Sequence, residues 1–334
     1  MKIVSSGAED LAEAAEALRR GALVAFPTET VYGLGADAFN PDALARVFEV
    51  KGRPRFDPLI IHIAALEDLS RIADTGRLDS AGRRRFDALA SRFWPGPLTL
   101  ILPRKPLVPD LATSGLPTAA LRFPAHPAAR RLIELSTGAV AAPSANLFGR
   151  LSPTRAEHVR EQLGESIDYI IDGGPAWVGL ESTVLDLSAG PPRILRPGGV
   201  SREDIEALIG PVEMGGADAR PASPGMLKGH YAPRTPLTLH GAAEMAALPC
   251  SAGEGYLFFS GGSRDAWLKR RGGAGAWALS ESGSAAEAAA RLFAALHEMD
   301  AQGFTRIHAE AAPETGLGPA INDRLGRAQF RGAG

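Results

Sequence analysis

The sequence lacks the features that define several large classes of protein. It has one cysteine, Cys250, among 334 residues, so neither an internal disulfide nor a Cys-x-x-Cys zinc site can form. No apolar run approaches the roughly 20 residues that cross a bilayer, and the N-terminal residues lack the apolar core of a signal peptide. These absences predict a soluble, cytoplasmic protein.

The sequence also lacks a large excess of positive or negative charge. The 36 lysines and arginines oppose 38 aspartates and glutamates, which gives a formal net charge of −2 and a pI near 6.4. Proteins that grip nucleic acid over a broad surface are usually basic, so this balance argues against that class, although it leaves room for a small basic pocket. The length of the chain predicts two packed domains.

Several familiar catalytic motifs are missing. The sequence contains no phosphate loop of the form GxxxxGK[ST], no HExxH zinc motif and no GxSxG nucleophile elbow. Residues 33–38 match a GxGxxA dinucleotide-binding pattern loosely, but residues 27–32 separate them from the preceding predicted strand. A glycine turn that packs a helix close to a sheet is therefore the favoured interpretation of residues 33–38.

Hydrophobic periodicity predicts both strands and helices over the first two thirds of the chain. Predicted helices span 8–19, 80–93 and 126–136, and another begins at Asn40-Pro41. Predicted strands span 22–26, 59–63, 98–102, 119–123, 139–142, 167–171 and 183–187. Thr154 and Glu157 have the spacing of a capping box. Because strands outnumber helices and several follow one another directly, we predict a mixed, twisted α/β sheet covered by helices.

Proline and glycine crowd together in residues 210–236, which predicts a linker between domains. The predicted domains are therefore 1–209 and 237–334. In the second domain, strands at 237–240, 255–259, 276–279 and 304–309 alternate with helices at 284–302 and 319–330. Regular alternation of this kind predicts a smaller, Rossmann-like domain.

Cations fall near the ends of several predicted strands. Lys51 and Arg53 precede the strand at 59–63, Arg122 ends the strand at 119–123, and Arg196 follows an apolar pair. If these ends converge, they form a cationic pocket that suits phosphate oxygens. Each signal alone also fits an ordinary basic turn, and His62, between two isoleucines, also fits a core residue.

Two polar loops follow predicted strands, at residues 27–33 and 143–146. Hydroxyl, amide and carboxylate groups at the end of a strand are well placed to meet a small polar ligand. Taken alone, each loop also fits a turn with capping residues.

Seven stretches, in this order and spacing, closely resemble the YrdC-like family. They are PTETVYGLG at 27–35, KGRP at 51–54, PLIIHI at 58–63, FWPGPLTLIL at 93–102, LRFP at 121–124, APSAN at 142–146 and ESTVLD at 181–186. SPGM at 223–226 and HYAP at 230–233 resemble the long, two-domain form of the threonylcarbamoyl-AMP synthase family. The resemblance covers nearly the whole chain.

This resemblance implies a fold and a reaction. The fold is a YrdC-like domain with a concave cationic cavity, followed by a Rossmann-like domain. In the reaction, the amine of L-threonine captures bicarbonate to give a carbamate, which attacks the α-phosphate of ATP and expels pyrophosphate, with Mg²⁺ held by the ATP phosphates. The resemblance further implies that a partner protein transfers the threonylcarbamoyl group to the adenosine beside the tRNA anticodon, adenosine 37.

The resemblance also implies roles for individual residues. The positions that match threonine-binding residues are Thr30, His62, Arg122, Ala142 and Ser182. The positions that match the ATP side are Lys51, Arg53, Asp57, Thr118, Ser144, Asn146, Ser152 and Arg196, with His230 and Tyr231 in a linker that folds over the nucleotide. Two positions depart from the family pattern: Asp57 replaces a residue that is often neutral, and Gly229 stands where relatives often carry an arginine, so that the basic contact either moves to Lys228 or is lost.

Two alternatives stay open on the sequence alone. A carbamoyl-transfer enzyme can be built on the same cavity, although such relatives usually carry an acylphosphatase, zinc-finger or kinase-like region that this chain lacks. A cationic cavity can also hold RNA, but the threonine-side residues would then have no role.

Overall fold

The computed structural model describes residues 1–215, 231–273 and 275–329. They form two compact units. The first holds Met1–Phe148, Pro153–Trp177 and the described residues from Glu181 to 215, and the second holds Gly149–Ser152, Val178–Leu180 and the described residues from 231 onward. The predicted domain boundaries stay predictions, because much of the predicted linker lies outside the described residues, including His230, the two linker positions at 228–229 and the SPGM stretch.

A mixed sheet of eleven strands runs through the described part of the first unit. Its strands are β1 (Lys2–Ser5), β2 (Val24–Phe26), β3 (Gly33–Asp37), β4 (Ile60–Ile63), β5 (Leu98–Pro103), β6 (Thr118–Arg122), β7 (Ala139–Ala141), β8 (Tyr169–Asp172), β9 (Thr183–Asp186), β10 (Arg193–Arg196) and β11 (Glu213–Met214). The strand order is β1-β8-β2-β3-β7-β4-β6-β5-β9-β10-β11. Parallel and antiparallel pairs alternate irregularly, as the sequence predicts for consecutive strands without an intervening helix.

Helices accompany this sheet: α1 (Ala8–Arg19), α2 (Pro41–Lys51), α3 (Leu69–Ile72), α4 (Ser80–Phe93), α5 (Asp110–Thr113), α6 (Pro127–Leu135), α7 (Ala156–Leu163) and α8 (Arg202–Ile209). The Asn40 side chain caps α2 by accepting from the backbone N–H groups of Asp42 and Ala43, as predicted. Gly52 ends α2 in the left-handed conformation that glycine adopts without strain (φ 61°). This capped helix therefore delivers Lys51 and Arg53 at a defined point.

Two local predictions are wrong. Helix α7 starts one residue later than a capping box at Thr154 requires, so Arg155 occupies the N-cap without a side-chain cap, and Thr154 Oγ1 has no hydrogen-bond partner among the described residues. Residues 33–37 form strand β3 rather than a glycine turn. A Cβ at Gly35 would lie 2.8 Å from both Phe26 Cε1 and Val140 Cγ1, so the glycine serves close packing within the sheet.

Side-chain alternation gives this sheet two different faces. Ile61, Leu121, Leu100, Leu185 and Ile194 are register partners on successive strands, and all belong to the large hydrophobic core that the helices cover. On these strands the opposite face carries a much smaller apolar cluster, made of Ile60, Ile101, Ala120, Val184 and Leu195. Elsewhere on that face a separate cluster joins Phe26 and Val140 to residues of α1 and α6. Strands β4, β6, β5, β9 and β10 thus have one face filled by core packing and one that also carries polar side chains.

The second unit contains a four-stranded parallel sheet in the order β12-β15-β13-β14. Its strands are β12 (Leu237–His240), β13 (Glu254–Ser260), β14 (Ala276–Ser280) and β15 (Arg306–Glu310), and its helices are α9 (Ala242–Ala247), α10 (Gly261–Arg271), α11 (Ala285–Asp300) and α12 (Gly318–Ala328). Strands and helices alternate along the chain, so both parts of the predicted fold class are confirmed.

Candidate active site

A row of polar side chains crosses the less filled face of the large sheet. The register pairs His62 with Arg122, Arg122 with Thr99, Thr99 with Val184, and Val184 with Arg196. Directly paired residues point to the same face of a sheet, so His62, Arg122, Thr99 and Arg196 share the face of the small apolar cluster. Alternation along β6 brings Thr118 to this face too. Two of the four predicted cations, Arg122 and Arg196, therefore lie on one face of the sheet.

An irregularity in β10 places Arg196 in this row. Ile194 pairs with Leu185 and Arg196 pairs with Val184, with a register shift between them. Without the shift, residues 194 and 196 would face the same side, and Ile194 belongs to the core side. Bulges commonly redirect a side chain next to an active site, and this one turns the guanidinium of Arg196 out of the core face.

A buried ion pair occupies the middle of the row. Arg122 Nη2 lies 2.7 Å from Glu29 Oε1, and the two side chains are 4% and 1% exposed. Glu29 Oε2 accepts a hydrogen bond from Ala125 N at 3.1 Å, and Arg122 Nε donates to the Gly96 carbonyl at 3.3 Å. Since an isolated charge is costly to bury, each member of the pair allows the other to remain charged.

Two threonine hydroxyls define the loop that carries Glu29. Thr28 Oγ1 donates to the Val31 carbonyl at 2.6 Å, so in the 2.8 Å contact with Thr30 it is the Thr30 hydroxyl that donates. Thr28 Oγ1 also accepts from the backbone N–H of Thr30 at 3.2 Å. The Thr30 oxygen keeps its lone pairs for a donor such as an ammonium group.

His62 is buried in β4 and electrically neutral. Burial, together with the positive charge of Arg122, lowers its pKa to about 3. Its Nδ1 lies 3.2 Å from the Ile60 carbonyl oxygen, which can only accept, so Nδ1 carries the proton. A neutral imidazole in this place can take part in hydrogen bonds to a ligand without adding charge.

A second buried ion pair joins Arg53 and Asp57. Arg53 Nη2 lies 2.8 Å from Asp57 Oδ2, and the same guanidinium donates to the carbonyl oxygens of Asp57 at 3.0 Å and Pro58 at 2.8 Å. Burial raises the pKa of Asp57, and the nearby cations, Arg53 first, oppose that rise. The two backbone carbonyls and the ion pair together hold the arginine in place.

Lys51 links the end of α2 to the loop after β7. Its Nζ donates to the backbone carbonyls of Ser144, at 2.5 Å, and Asn146. Burial and the charge of Arg53 hold the pKa of Lys51 well below its usual range. The loop itself is tied down, because Ala145 N donates to the Tyr32 carbonyl and Phe148 N donates to the Lys51 carbonyl. Lys51, Ser144 and Asn146 are thereby brought together.

Ser182 connects the last two residues of the polar row. Its Oγ lies 2.7 Å from Thr99 Oγ1, and Arg196 Nη2 donates to the Ser182 carbonyl at 2.9 Å and to Oγ at 3.2 Å. Ala142, at the end of β7, donates its N–H to the Ile60 carbonyl at 2.9 Å. Together with Thr30, His62 and Arg122, Ser182 and Ala142 complete the set of predicted threonine-side residues, all of which lie in the first unit.

Two other predicted residues lie in the second unit. The backbone carbonyl of Ser152 lies 3.1 Å from His297 Nε2. Tyr231 has a positive φ of 65°, and its ring lies 5.6 Å from that of Phe293 and 5.2 Å beneath the Arg324 guanidinium. Which ligand each predicted residue binds stays a prediction.

The sequence analysis did not name Thr99 as a member of this site, although it falls inside FWPGPLTLIL. Its signal is a polar residue at an alternate position of a strongly apolar strand. Glu29 supplies the carboxylate of the polar loop at 27–33, but its pairing with Arg122 was not predicted, because the two residues are distant in sequence.

No group of three or more histidine, cysteine, aspartate or glutamate residues is arranged to hold a metal ion in the described parts of the chain. Nor does any described helix combine the length and apolarity required to span a membrane.

Comparison with known proteins matches two family models to successive parts of the chain. The Sua5, YciO and YrdC family, described as telomere recombination, matches residues 16–198. The family described as threonylcarbamoyl-AMP synthase, C-terminal domain, matches residues 200–329. The resemblance seen in the motifs therefore extends over nearly the full length of the chain.

Curated relatives and solved structures agree with these matches. The threonylcarbamoyl-AMP synthase of Bacillus subtilis is 43% identical over 97% of this chain and 94% of its own, and that of Pyrococcus abyssi is 44% identical over 94% and 92%. The crystal structure of P. abyssi Sua5 complexed with L-threonine matches with a TM-score of 0.85, at 39% identity and 98% coverage of each chain. The chain belongs to the threonylcarbamoyl-AMP synthase family, in its two-domain form.

Proposed function

We propose that this protein is an L-threonylcarbamoyladenylate synthase, a nucleotidyltransferase that forms threonylcarbamoyl-AMP and pyrophosphate from L-threonine, bicarbonate and ATP. The observation that carries the proposal is the row of buried polar side chains on one face of the sheet. It combines buried cations with hydroxyl groups in a family whose P. abyssi member has been crystallised with L-threonine. The product would serve threonylcarbamoyl modification of adenosine 37 of tRNA, in the cytoplasm.

On the threonine side, Arg122 binds the carboxylate of the amino acid through its guanidinium. Thr30, His62, Ala142 and Ser182 complete this part of the pocket. The neutral state of His62 supports the assignment, because a second cation beside Arg122 would have no carboxylate of its own to bind.

On the ATP side, the proposed phosphate-binding groups are Lys51, Arg53 and Arg196. The other proposed residues are Thr118, Ser144, Ser152, Asn146, His230 and Tyr231, while Asp57 acts by holding Arg53. Lys51 is buried and its pKa is lowered, so an anion such as a phosphate supplies the compensating charge that keeps the ammonium protonated. Binding of ATP and protonation of Lys51 are then coupled.

The chemistry requires placement and electrostatics rather than a covalent enzyme intermediate. The threonine amine forms a C–N bond to bicarbonate with loss of water, and a carbamate oxygen then attacks the α-phosphorus while the bond to pyrophosphate breaks. Fixed cations stabilise charge that develops on the phosphate oxygens, and holding both substrates on one face of a rigid sheet favours the attack. Exclusion of water protects the carbamate and the adenylate.

Magnesium is proposed to enter with ATP, held by the phosphate oxygens. When bound there it neutralises charge on the leaving pyrophosphate. The proposed magnesium site needs no protein ligand, and Asp57 keeps its 2.8 Å ion pair with Arg53. The downstream consumer of the adenylate is proposed to be a tRNA-modifying transfer system.

The test is pyrophosphate release from ATP and magnesium, with threonine and bicarbonate each supplied or withheld. The proposal predicts release only when both are present. Lys51→Met should abolish it, whereas Arg84→Met, which removes a cation from the exposed surface of α4, should leave it unchanged. Release that depends on carbamoyl phosphate would support a carbamoyl-transfer enzyme, and no release together with tight RNA binding would support a binding module.

A further inference from the structure

Glu29 is a buried carboxylate to which the proposed reaction assigns no task. It is 1% exposed and lies in the loop between β2 and β3, 2.7 Å from the guanidinium that is proposed to bind threonine. A carboxylate at the bottom of a site for an anionic group calls for a physical reason, because it repels the carboxylate of the incoming ligand.

The backbone, and not Arg122 alone, holds Glu29 in place. Ala125 N donates to Glu29 Oε2 at 3.1 Å. The Thr28 hydroxyl, which precedes Glu29, is bonded to the two residues that follow it: it accepts from Thr30 N and donates to the Val31 carbonyl. Tyr32 N donates to the Pro153 carbonyl at 2.8 Å. A carboxylate held in this way is preorganised, so its position does not depend on whether a ligand is bound.

The contact between Glu29 and Arg122 leaves hydrogen-bonding capacity unused. Glu29 Oε1 and Arg122 Nη2 are close enough for an ion pair, yet neither atom makes a hydrogen bond of good geometry within the described residues. A buried donor and a buried acceptor, side by side and incompletely satisfied, suit a ligand that brings both an acceptor and a donor. An α-amino acid zwitterion is such a ligand, because its carboxylate and its ammonium group are both attached to the α-carbon.

We infer that Glu29 is a specificity-determining residue: it holds Arg122 in position and faces the substrate's amino group, so that the site accepts an α-amino acid and rejects a carboxylic acid that lacks the amine. The inference rests on the proposed function, since it concerns the same threonine pocket. A hydroxy acid without the amine would bring a negative charge to Glu29 with no positive charge to offset it. Discrimination by an unpaired buried charge is stronger than discrimination by lost packing.

The test compares L-threonine with 3-hydroxybutyrate, which has the same carbon chain, hydroxyl and carboxylate but no amine. Binding of each to the full-length protein is measured by calorimetry without ATP, so that catalysis does not enter. Wild-type protein should bind threonine and discriminate strongly against 3-hydroxybutyrate. Glu29→Gln should weaken threonine binding by about tenfold or more while weakening the analogue less, so that the ratio of the two dissociation constants falls.

Two further variants separate specificity from general damage. Glu29→Asp keeps the charge, so it should keep most of the discrimination even if both ligands bind more weakly. Asp57→Asn neutralises the other buried carboxylate that pairs with an arginine, and it should leave the threonine-to-analogue ratio unchanged.

The outcomes are distinct. Equal weakening of both ligands in Glu29→Gln, with the ratio unchanged, would show that Glu29 only supports the structure and would overturn the inference. Loss of discrimination in Glu29→Asp would also overturn it. Failure of wild-type protein to bind threonine at all would instead overturn the proposed function, and the inference with it.

Discussion

Arg53 and Asp57 form a 2.8 Å ion pair in which both side chains are almost wholly buried. The family resemblance places Asp57 on the ATP side, where an aspartate that faced the phosphate groups would repel them. In this structure the carboxylate is directed to the arginine, and the guanidinium also binds the backbone carbonyls of Asp57 and Pro58. We therefore propose that Asp57 acts on the nucleotide through Arg53.

Replacing Asp57 with asparagine tests this arrangement. The amide keeps the shape but removes the charge that holds Arg53, so we expect the KM for ATP to rise by about tenfold, with a small effect on the KM for threonine. Steady-state pyrophosphate release with each substrate varied in turn gives both constants. An equal rise in both would mean that Asp57 supports the whole sheet and not the arginine.

Replacing Arg122 with lysine should have the opposite selectivity. Lysine keeps a positive charge for Glu29, which avoids leaving a buried carboxylate alone, but it cannot present two parallel N–H groups to a carboxylate. The KM for threonine should rise by about tenfold to a hundredfold, and the KM for ATP should change much less. The same two-substrate assay decides, and a larger effect on ATP would contradict the assignment of Arg122 to threonine.

Strong local periodicity accounts for what the sequence predicted well. Helices α1 and α4 have the predicted bounds, and two of the predicted cations, Arg122 and Arg196, share one face of the sheet. Strand β3 escaped prediction because it is short and two of its five residues are glycines, which gives no apolar alternation. Its glycine at 35 has a reason only in three dimensions, where Phe26 and Val140 leave no space.

The sequence could not predict which face of the sheet Arg196 lies on, nor that Glu29 pairs with Arg122, because both depend on the three-dimensional arrangement of the strands. A register shift in β10 turns Arg196, and no residue in the sequence marks that shift. The Glu29–Arg122 pair joins a loop after β2 to the end of β6, and such long-range contacts depend on the strand order. Thr99, by contrast, could have been found by alternation within β5, opposite Arg122 in the register.

The titration of His62 gives a pH-dependent prediction. Its pKa is about 3 in the folded protein, against roughly 6.5 in an unfolded chain. Between these pH values only the unfolded state binds the proton, so the free energy of unfolding falls as the pH falls, by about 1.4 kcal/mol per pH unit for this one group.

A glutamine at position 62 cannot take up a proton in the unfolded chain. The free energy of unfolding of His62→Gln should therefore fall less steeply than that of the wild type from pH 6 to pH 5. Chemical denaturation at a series of pH values measures the difference between the two slopes, and contributions from other groups are common to both proteins. Above pH 7 the two curves should run parallel. Equal slopes below pH 6 would mean that His62 binds its proton equally well in the folded and the unfolded chain.

Replacing Gly35 with alanine tests the close packing that supports the site. The added Cβ would lie 2.8 Å from Phe26 Cε1 and from Val140 Cγ1, both on side chains without exposed surface. Overpacking of this kind typically costs about 1–3 kcal/mol, which should appear as a lower denaturation midpoint. Gly326→Ala is the control, because it has open space around the new Cβ and lies within helix α12, where alanine is favoured over glycine by up to about 1 kcal/mol.

Because Phe26 also packs edge-on against His62, with 6.2 Å between ring centroids, Gly35→Ala should in addition raise the KM for threonine. Lower stability without that rise would mean that the sheet absorbs the added methyl group without moving His62.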